Sequence, residues 1–335
     1  MVKNTIPTIK KILLLLVCLC LVANTAIAQQ VPAVEEGIPY LITFGKDAPT
    51  SWGDDDFSQT FFFVIPQFYT QPIYIRVFDP DISGTNDEVK GEFNSKTKFS
   101  VYGGKTCFTG KDVRSNQPVG NYKSGNLLAS KIFGFNEIYD QKWYTFGPFN
   151  PTEGEYVDAF GGFIFKIIAE GISGDDGNVY RYFLSSSPTE NKAVEGANAF
   201  TFEYTFRFED DLSNVAHIYP YIEQNVVSVK LSNFDFDDAC TINIVSITKK
   251  KESHKASGEN VWSTIEHTIT EEEKNTTLDI QFIKNKKLAV KNNNVTLYIS
   301  NQYGYLLPIF TVPIGGAPQH NYKIDFNQKK KTTPY

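Results

Sequence analysis

AFTFEYTFRFE, residues 199–209, alternates aromatic and polar side chains from end to end. Successive side chains of a β-strand point to opposite faces of the sheet, so this period of two predicts a strand. The aromatic face is expected in a core, and it comprises Phe200, Phe202, Tyr204, Phe206 and Phe208. The polar face is expected in water, and it comprises Thr201, Glu203, Thr205, Arg207 and Glu209.

Further short runs rich in aromatic and β-branched residues lie on both sides of this stretch. Side chains of these types favour a pleated, half-buried surface, so the runs predict strands and an all-β fold. Those before it are residues 60–66, 72–78, 97–103, 143–149, 162–171 and 178–186. Those after it are residues 215–222, 226–234, 241–248, 276–283, 294–301 and 305–312. A capping box at Thr270 and Glu273 predicts one short helical turn, and residues 111–130 are expected to form a long surface loop.

The chain is predicted to contain two β-sandwich domains behind a secretory signal peptide. The signal peptide covers residues 1–28, where lysines precede an apolar run that is too short to span a bilayer and ends in Ala26-Ile27-Ala28. A larger sandwich follows over residues 29–212. Six runs with turn residues every eight to twelve positions predict a smaller immunoglobulin-like sandwich over residues 213–324. Residues 325–335 are expected to be a disordered basic tail.

Charge and cysteine content limit the classes of partner. The net charge is −6, and removal of the signal peptide would take away lysines only, so nucleic acid and anionic lipid are poor candidates. An exported chain meets an oxidising compartment, where Cys107 and Cys240 could form a disulfide. Their positions in different predicted domains favour two buried thiols over a disulfide.

The loop VFDPDISGTNDE, residues 77–88, carries oxygen-bearing side chains at the spacing of a calcium loop. Calcium takes six to eight oxygen ligands, often from carboxylates two positions apart beside a glycine that allows a sharp turn. Asp79, Asp81 and Ser83 match the first positions of such a loop, and Asp87 matches a later one. Lys90 occupies the position of the usual bidentate glutamate, so other loops must complete the shell. The alternative is an ordinary turn.

Two further acidic stretches could supply those ligands. GDDDF (53–57) contributes Asp55, and SGDDGN (173–178) contributes Asp175. The second stretch is also a strong hairpin signal by itself, because Asp, Asn and Gly tolerate turn conformations. We therefore predict a calcium site formed by Asp79, Asp81, Ser83 and Asp87, with Asp55 and Asp175 as additional candidates.

Catalytic motifs are scarce, since the four histidines are scattered and neither a nucleophile elbow nor a phosphate-binding loop is present. We predict a non-enzymatic binding or accessory protein that uses sandwich loops to bind an envelope protein or a glycan. Trp52, Trp143 and Trp262, with Tyr139 and Tyr144, are the rings considered for stacking on sugars. Two alternatives stay open: a carbohydrate-active enzyme with paired carboxylates from Asp79, Glu88 or Asp175, and a structural component of an envelope assembly.

Two resemblances add to this interpretation. WGDDDFSQTFFFVIPQ (52–67) and PIYIRVFDPD (72–81) resemble bacterial pre-peptidase C-terminal modules. That resemblance implies a jelly-roll fold for the larger domain and a non-catalytic accessory role, with calcium in some members. YIRVFDPDISGTNDE, EGISGDDGNVYRYFLS, NFDFDDA and ITEEEKNTTLDIQF resemble uncharacterised exported proteins of Bacteroidetes-type bacteria. This second resemblance implies a location in the periplasm, on the outer-membrane surface or outside the cell.

Overall fold

A computed structural model of the chain describes residues 29–54, 56–111, 113–114, 123–208, 211–237, 240–284 and 293–315. The predicted signal peptide and basic tail lie outside these residues. Within them, no helix is long and apolar enough to cross a membrane.

The described residues form an all-β protein, as the aromatic and β-branched runs predict. Helical structure there is confined to five three-residue 3₁₀ turns, one of which is the predicted turn at Glu271–Glu273. The strands are β1 Gln30–Val31, β2 Tyr40–Phe44, β3 Ser58–Pro66, β4 Ile73–Phe78, β5 Lys96–Gly103, β6 Asn126–Phe133, β7 Trp143–Phe149, β8 Glu155–Val157, β9 Gly162–Ser173, β10 Gly177–Ser185, β11 Asn198–Thr201, β12 Glu203–Arg207, β13 Val215–Pro220, β14 Ser228–Phe234, β15 Cys240–Val245, β16 Glu252–Lys255, β17 Trp262–Thr268, β18 Asp279–Lys284, β19 Asn294–Asn301 and β20 Ile309–Phe310.

The strands form two antiparallel sheets that pack against each other. Sheet I has the order β17-β14-β19-β12-β2-β10-β4-β7, and β1 also pairs with β10. Sheet II has the order β16-β15-β18-β13-β20-β11-β3-β9-β5-β6, and β8 also pairs with β9. The largest apolar cluster lies between them. Phe61 of sheet II meets Tyr182 of sheet I edge-on at 5.9 Å between ring centroids, and Phe99 meets Tyr180 in the same way at 5.1 Å. The predicted β-sandwich fold is therefore confirmed.

The stretch 199–209 carries the chain from one sheet to the other. β11 pairs with β3 and β20 in sheet II, a bend follows at Phe202, and β12 pairs with β2 and β19 in sheet I. The aromatic face is buried as predicted.

Three residues of the polar face do not lie in water, which corrects the prediction for them. Thr201, Glu203 and Thr205 are all at most 3% exposed. Strands on both sides and neighbouring side chains cover them: Thr201 Oγ1 donates to the Thr60 carbonyl at 2.6 Å, and Thr205 Oγ1 lies 2.8 Å from Thr296 Oγ1. An alternating strand is half-exposed only where nothing covers its polar face, and here both faces are covered.

The predicted domain boundary at residues 212–213 separates strands that share both sheets. In sheet I, β12 pairs with β19, which follows it by about ninety residues. In sheet II, β20 lies between β11 and β13 and pairs with each. The predicted larger and smaller segments therefore contribute to the same two sheets and to one apolar cluster.

Two other sequence features can be placed. Part of the expected surface loop 111–130 is ordered as β6, which begins at Asn126. Cys107 and Cys240 are buried and no disulfide joins them. Cys107 packs beside Tyr102 and Ile168, in a different apolar cluster from Cys240.

The edge of the sandwich formed by β6 and β7 is closed by an aromatic group around one lysine. Phe133, Tyr139 and Tyr144 meet edge to face with centroids 5.1–6.1 Å apart. The ammonium of Lys131 lies 4.3–5.0 Å from all three ring centroids and donates to Tyr139 Oη at 3.0 Å. A charged side chain directed inward at an edge strand opposes pairing with another chain.

Candidate metal centre

The pairing of β5 brings three loops together at one end of the sandwich. β5 pairs with β6 and with β9, so Thr97 stands opposite Phe133 and Lys96 stands opposite Ser173. The loop that precedes β5, the loop that follows β6 and the turn that follows β9 therefore meet there. These are residues 79–95, 134–142 and 174–176.

Asp79 opens the first loop in a left-handed backbone conformation, with φ +58°. Aspartate tolerates this region better than most residues. Its N–H donates to the Lys142 carbonyl at 2.9 Å, and its Oδ1 accepts from Gln141 N at 2.8 Å. Its Oδ2 is buried without a hydrogen-bond partner in the described residues. Burial, together with the charges of Asp140 and Asp81, raises the pKa of Asp79 to about 6.

Asp81 is fully buried and also has one oxygen unused. Its Oδ2 accepts from Ser83 Oγ at 2.6 Å, while its Oδ1 lacks a partner among the residues described. Burial, followed by the charge of Asp140, raises its pKa. Ser83 Oγ therefore lies at the predicted site as a hydrogen-bond donor to the Asp81 carboxylate.

Asp140 joins this group from the β6–β7 loop. Its carboxylate lies against Gly84, where a Cβ atom would stand only 2.4 Å from Asp140 Oδ1. That oxygen is buried and unpartnered within the described chain. Gly84 has φ +74°, so its lack of a side chain serves both the turn and the close approach of Asp140.

Asp87 has a different position from the one that the calcium-loop spacing implies. Its Oδ2 accepts from Ser83 N at 2.8 Å, and its Oδ1 accepts from Val179 N at 2.8 Å. Oδ2 thus closes the loop on itself, and Oδ1 fastens the loop to β10. Burial raises the pKa of Asp87 well above its ordinary value.

Asn178 on β10 adds a neutral oxygen near the loop. Its Nδ2 donates to the Pro80 carbonyl at 2.9 Å, between the two aspartates of the loop. The side chain is fully buried, and its Oδ1 has no partner in the described part of the chain. An amide oxygen is a ligand that calcium accepts.

Cationic side chains do not balance these carboxylates. None of the ion pairs among the described residues includes Asp79, Asp81, Asp87 or Asp140. Buried carboxylates are ordinarily paired with a cation or protonated. As they stand, no three His, Cys, Asp or Glu side chains of the described residues form a metal-binding group. The unused oxygens share one loop cluster without converging on a single point.

The candidate Asp175 lies outside this group. Asp175, on the β9–β10 turn, accepts from Asn94 Nδ2 at 2.7 Å and pairs with Lys90 Nζ at 3.6 Å. Asp55 is not among the described residues. The neighbouring Asp176 is fully buried and accepts from the N–H groups of Lys90, Asn94 and Ser95, which fixes the second half of the loop.

Glu88 anchors the middle of the loop to sheet I. Its Oε2 accepts from Arg207 Nη2 at 2.8 Å and from Asn294 Nδ2 at 2.9 Å. Arg207 also donates to the Asn86 carbonyl. Hydrogen bonds of Asp79, Asp87 and Glu88 therefore hold the loop in place, and those that Asp176 accepts add to them.

The rings considered for sugar stacking are packed among other side chains. Trp52 packs on Phe44, and Trp143 lies beneath the guanidinium of Arg76 at 5.0 Å. Tyr139 and Tyr144 belong to the group around Lys131. Trp262 is 38% exposed and tilts between Phe234 and Tyr298.

Sequence reasoning found Asp79 and Asp81 but missed Asp140 and Asn178. Both of these lie in other loops or strands, far along the chain, and neither stands in a ligand-like spacing. Only the pairing of β5 with β6 and β9 shows that the three segments meet.

Comparisons with known proteins assign this chain to no family. No family model matches the chain, and no curated protein matches it. The resemblance to pre-peptidase C-terminal modules gains no support from them. Among solved structures, the infectious bursal disease virus VP2 subviral particle aligns over 82% of this chain and 81% of that chain, with 10% identity and a TM-score of 0.13. A TM-score this low supports no conclusion about fold or function.

Proposed function

We propose that this chain is an exported, non-enzymatic binding or accessory protein of the bacterial envelope, and that calcium stabilises its loop cluster. One observation carries the calcium part of the proposal. Asp79, Asp81 and Asp140 bring buried, unpartnered carboxylate oxygens to one group of loops without a cationic side chain in any described ion pair. Asn178 Oδ1 adds a fourth unpartnered oxygen.

The donor set favours calcium over other common ions. All four atoms are oxygens, and an oxygen-only set suits Ca²⁺, Mg²⁺ or Mn²⁺ rather than zinc. Magnesium requires a nearly ideal octahedron and gives up its waters reluctantly, whereas calcium accepts irregular shells of six to eight ligands. Loops that supply oxygens from three separate segments fit the more permissive ion. Binding requires the unused oxygens to close on the ion, with water or carbonyls to complete the shell.

The electrostatic state of the loops supports the same conclusion. Burial raises the pKa of Asp79, Asp81 and Asp87, so ionising them in the metal-free protein is unfavourable. A bound divalent cation would remove that cost. Binding of the ion would therefore offset the free-energy cost of burying these carboxylates and the repulsion between them.

The carbohydrate-active alternative receives less support. Glu88 is committed to Arg207 and Asn294, and Asp175 is committed to Asn94 and Lys90. A pair of carboxylates that acts on a glycosidic bond must instead face a substrate. Non-enzymatic binding therefore remains the function that we propose.

The first prediction concerns the Asp140→Asn variant of the purified protein. In EDTA its melting temperature should exceed that of the parent, because one of the crowded negative charges is gone. In calcium at a hundredfold excess over Kd, the parent should gain about 2.7 kcal/mol, or roughly 5 °C or more, while the variant gains much less. Thermal melting over a calcium titration measures both effects.

Asp175→Asn is the matched control, since it removes a carboxylate from the same end of the sandwich but outside the unpaired group. It should keep the full calcium response. Magnesium should stabilise the parent less than calcium does. Equal calcium responses in the parent and in Asp140→Asn would disprove the site.

A further inference from the structure

A cleft of about 970 Å³ lies at the end of the sandwich opposite the calcium loops. β5 connects the two ends: Lys96 begins it beside the turn after β9, and Gly103 ends it before the loop that lines the cleft. The cleft is lined by residues 108–111, Arg114, Glu223, Asn225, Asn301 and residues 303–305. Its volume falls within the range of ligand-binding clefts, about 300–1,000 Å³.

Two tyrosines stand at the mouth of this cleft. Tyr303 is 70% exposed and Tyr305 is 60% exposed, although large aromatic side chains are usually buried. The turn that carries them is fixed, because Asn301 Oδ1 accepts from Tyr303 N at 2.9 Å and from Tyr305 N at 3.1 Å. Gln302 ties the same turn to Asn225 and Val227. Both rings are therefore displayed on a rigid support outside the core.

Polar groups lie in fixed positions beneath these rings. Arg114 Nε donates to the Leu306 carbonyl at 3.0 Å, and its Nη2 pairs with Glu223 Oε1 at 2.9 Å. The guanidinium also lies 5.6 Å from the ring centroid of Phe202. About a third of each of the two charged side chains remains exposed, so both keep hydrogen-bonding capacity that faces the cleft.

We propose that this cleft binds a carbohydrate chain. A sugar ring has an apolar C–H face that can stack on a tyrosine, and hydroxyls at its edge that can bond to a guanidinium, a carboxylate and amides. The cleft offers both kinds of group side by side: Tyr303 and Tyr305 for the face, and Arg114, Glu223 and Asn225 for the edge. An acidic chain with this mixed lining is a poor receptor for nucleic acid.

This inference rests on the proposed binding function and names its ligand class. The cleft is lined by residues outside the proposed calcium loops. Aromatic rings presented with two rotatable bonds give contact area at a small entropic cost. Hydrogen bonds hold the turn and Arg114 in place without a ligand. Binding therefore orders fewer side chains, which lowers the entropic cost further.

The test is native affinity electrophoresis of the full chain in gels that contain a neutral polysaccharide, hydroxyethyl cellulose or soluble starch, or an acidic one, polygalacturonate. At least one polymer should retard the parent. Tyr303→Ala and Tyr305→Ala should each weaken the affinity roughly tenfold, which corresponds to about 1.4 kcal/mol of lost stacking. Tyr303→Phe keeps the ring and should retain most of the affinity.

Tyr156→Ala is the control, because Tyr156 is an exposed tyrosine (43%) on β8, away from the cleft. It should migrate like the parent in every gel. Matching melting temperatures will show that each variant is folded. Lack of retardation of the parent by all three polymers, or equal retardation of the parent and the two alanine variants, would overturn the carbohydrate assignment.

Repeating the gels in EDTA and with Asp140→Asn separates this inference from the calcium site. Retardation should persist in both cases, since the cleft lies one strand length from the calcium loops. If the parent is retarded but shows no calcium response, or if Asp140→Asn responds to calcium as the parent does, the metal site alone is rejected. A calcium response without retardation rejects the cleft alone.

Discussion

Asp235, in the loop after β14, is a buried carboxylate whose charge is poorly compensated. It is 2% exposed, and its Oδ1 accepts from Asn260 N. Burial, with the charges of Asp237 and Glu259 as smaller contributions, raises its pKa from 3.8 to about 7. Because the folded state holds this proton more tightly than the unfolded state, ionisation opposes folding.

We therefore predict that Asp235→Asn is more stable than the parent at pH 8. The difference in free energy of unfolding should be small near pH 4, grow as the pH rises to about 7, and stay constant above that. Asparagine keeps the acceptor for Asn260 N and tolerates the φ of +58°. Urea denaturation at a series of pH values measures the difference.

The control for this prediction is Asp158→Asn, which changes an exposed carboxylate in a 3₁₀ turn. Its stability relative to the parent should vary little over the same range. If Asp235→Asn and the parent have equal free energies of unfolding at pH 4 and also at pH 8, ionisation of Asp235 does not destabilise the folded protein.

At the scale of residues, sequence spacing located half of the candidate calcium site. Asp79 and Asp81 are two positions apart and precede a glycine, so local pattern was enough to single them out. Ser83 and Asp87 match the same pattern, yet their polar atoms hold the loop together through Asp81, Ser83 N and Val179 N. The spacing of residues in a sequence shows which residue types are present. It does not show which of their oxygen atoms remain free of hydrogen bonds and can bind a metal ion.

At the scale of elements, the crossing between sheets depends on Thr201. Its hydroxyl donates to the Thr60 carbonyl at 2.6 Å and accepts from Glu203 N at 3.2 Å, so it fixes the bend between β11 and β12. Thr201→Val keeps the shape and leaves buried polar groups unsatisfied. We expect a loss of about 1–3 kcal/mol in the free energy of unfolding.

Thr311→Val provides the comparison for that loss. Thr311 is also fully buried, but among the described residues its hydroxyl makes only a long contact of 3.5 Å, with the Ala199 carbonyl. Its substitution should cost distinctly less in the same denaturation experiment. Equal losses in the two variants would show that the bend does not depend on the Thr201 hydroxyl.

Most strands with two neighbours are predicted from the sequence, although β2 between β12 and β10 is missed and the edge strand β7 is predicted. β3 and β9 are rich in buried aromatic and β-branched side chains, and the sequence predicts both. The first part of β6 is predicted as loop, because this edge strand exposes four of its eight residues and lacks a clear apolar alternation. β17 was missed for the same reason, since four of its seven residues are exposed.

At the scale of the whole molecule, the shared sheets predict a single cooperative unfolding transition. Two independent sandwiches divided at residues 212–213 would melt separately. Here the two segments share β-ladders and one core, so loss of either removes strand neighbours from the other.

Three tryptophans allow this prediction to be measured. Trp52 and Trp143 lie before the boundary and Trp262 lies after it, so variants that retain one tryptophan, with Phe at the other two positions, report on separate regions. Their fluorescence transitions in urea should coincide with one another and with the far-UV circular dichroism transition. Two transitions, with Trp262 separate from the others, would show that the segments unfold independently.

The position of β20 in sheet II limits the order in which the strands can assemble during folding. β20 is a two-residue strand near the C-terminal end of the described chain, and it lies between β11 and β13. About a hundred residues separate β11 from β20, so the gap beside β11 stays open until a loop of that length has closed. Contacts between such distant positions slow folding, because a long loop must close before they form. β11 therefore remains a temporary edge of sheet II until β20 pairs with it.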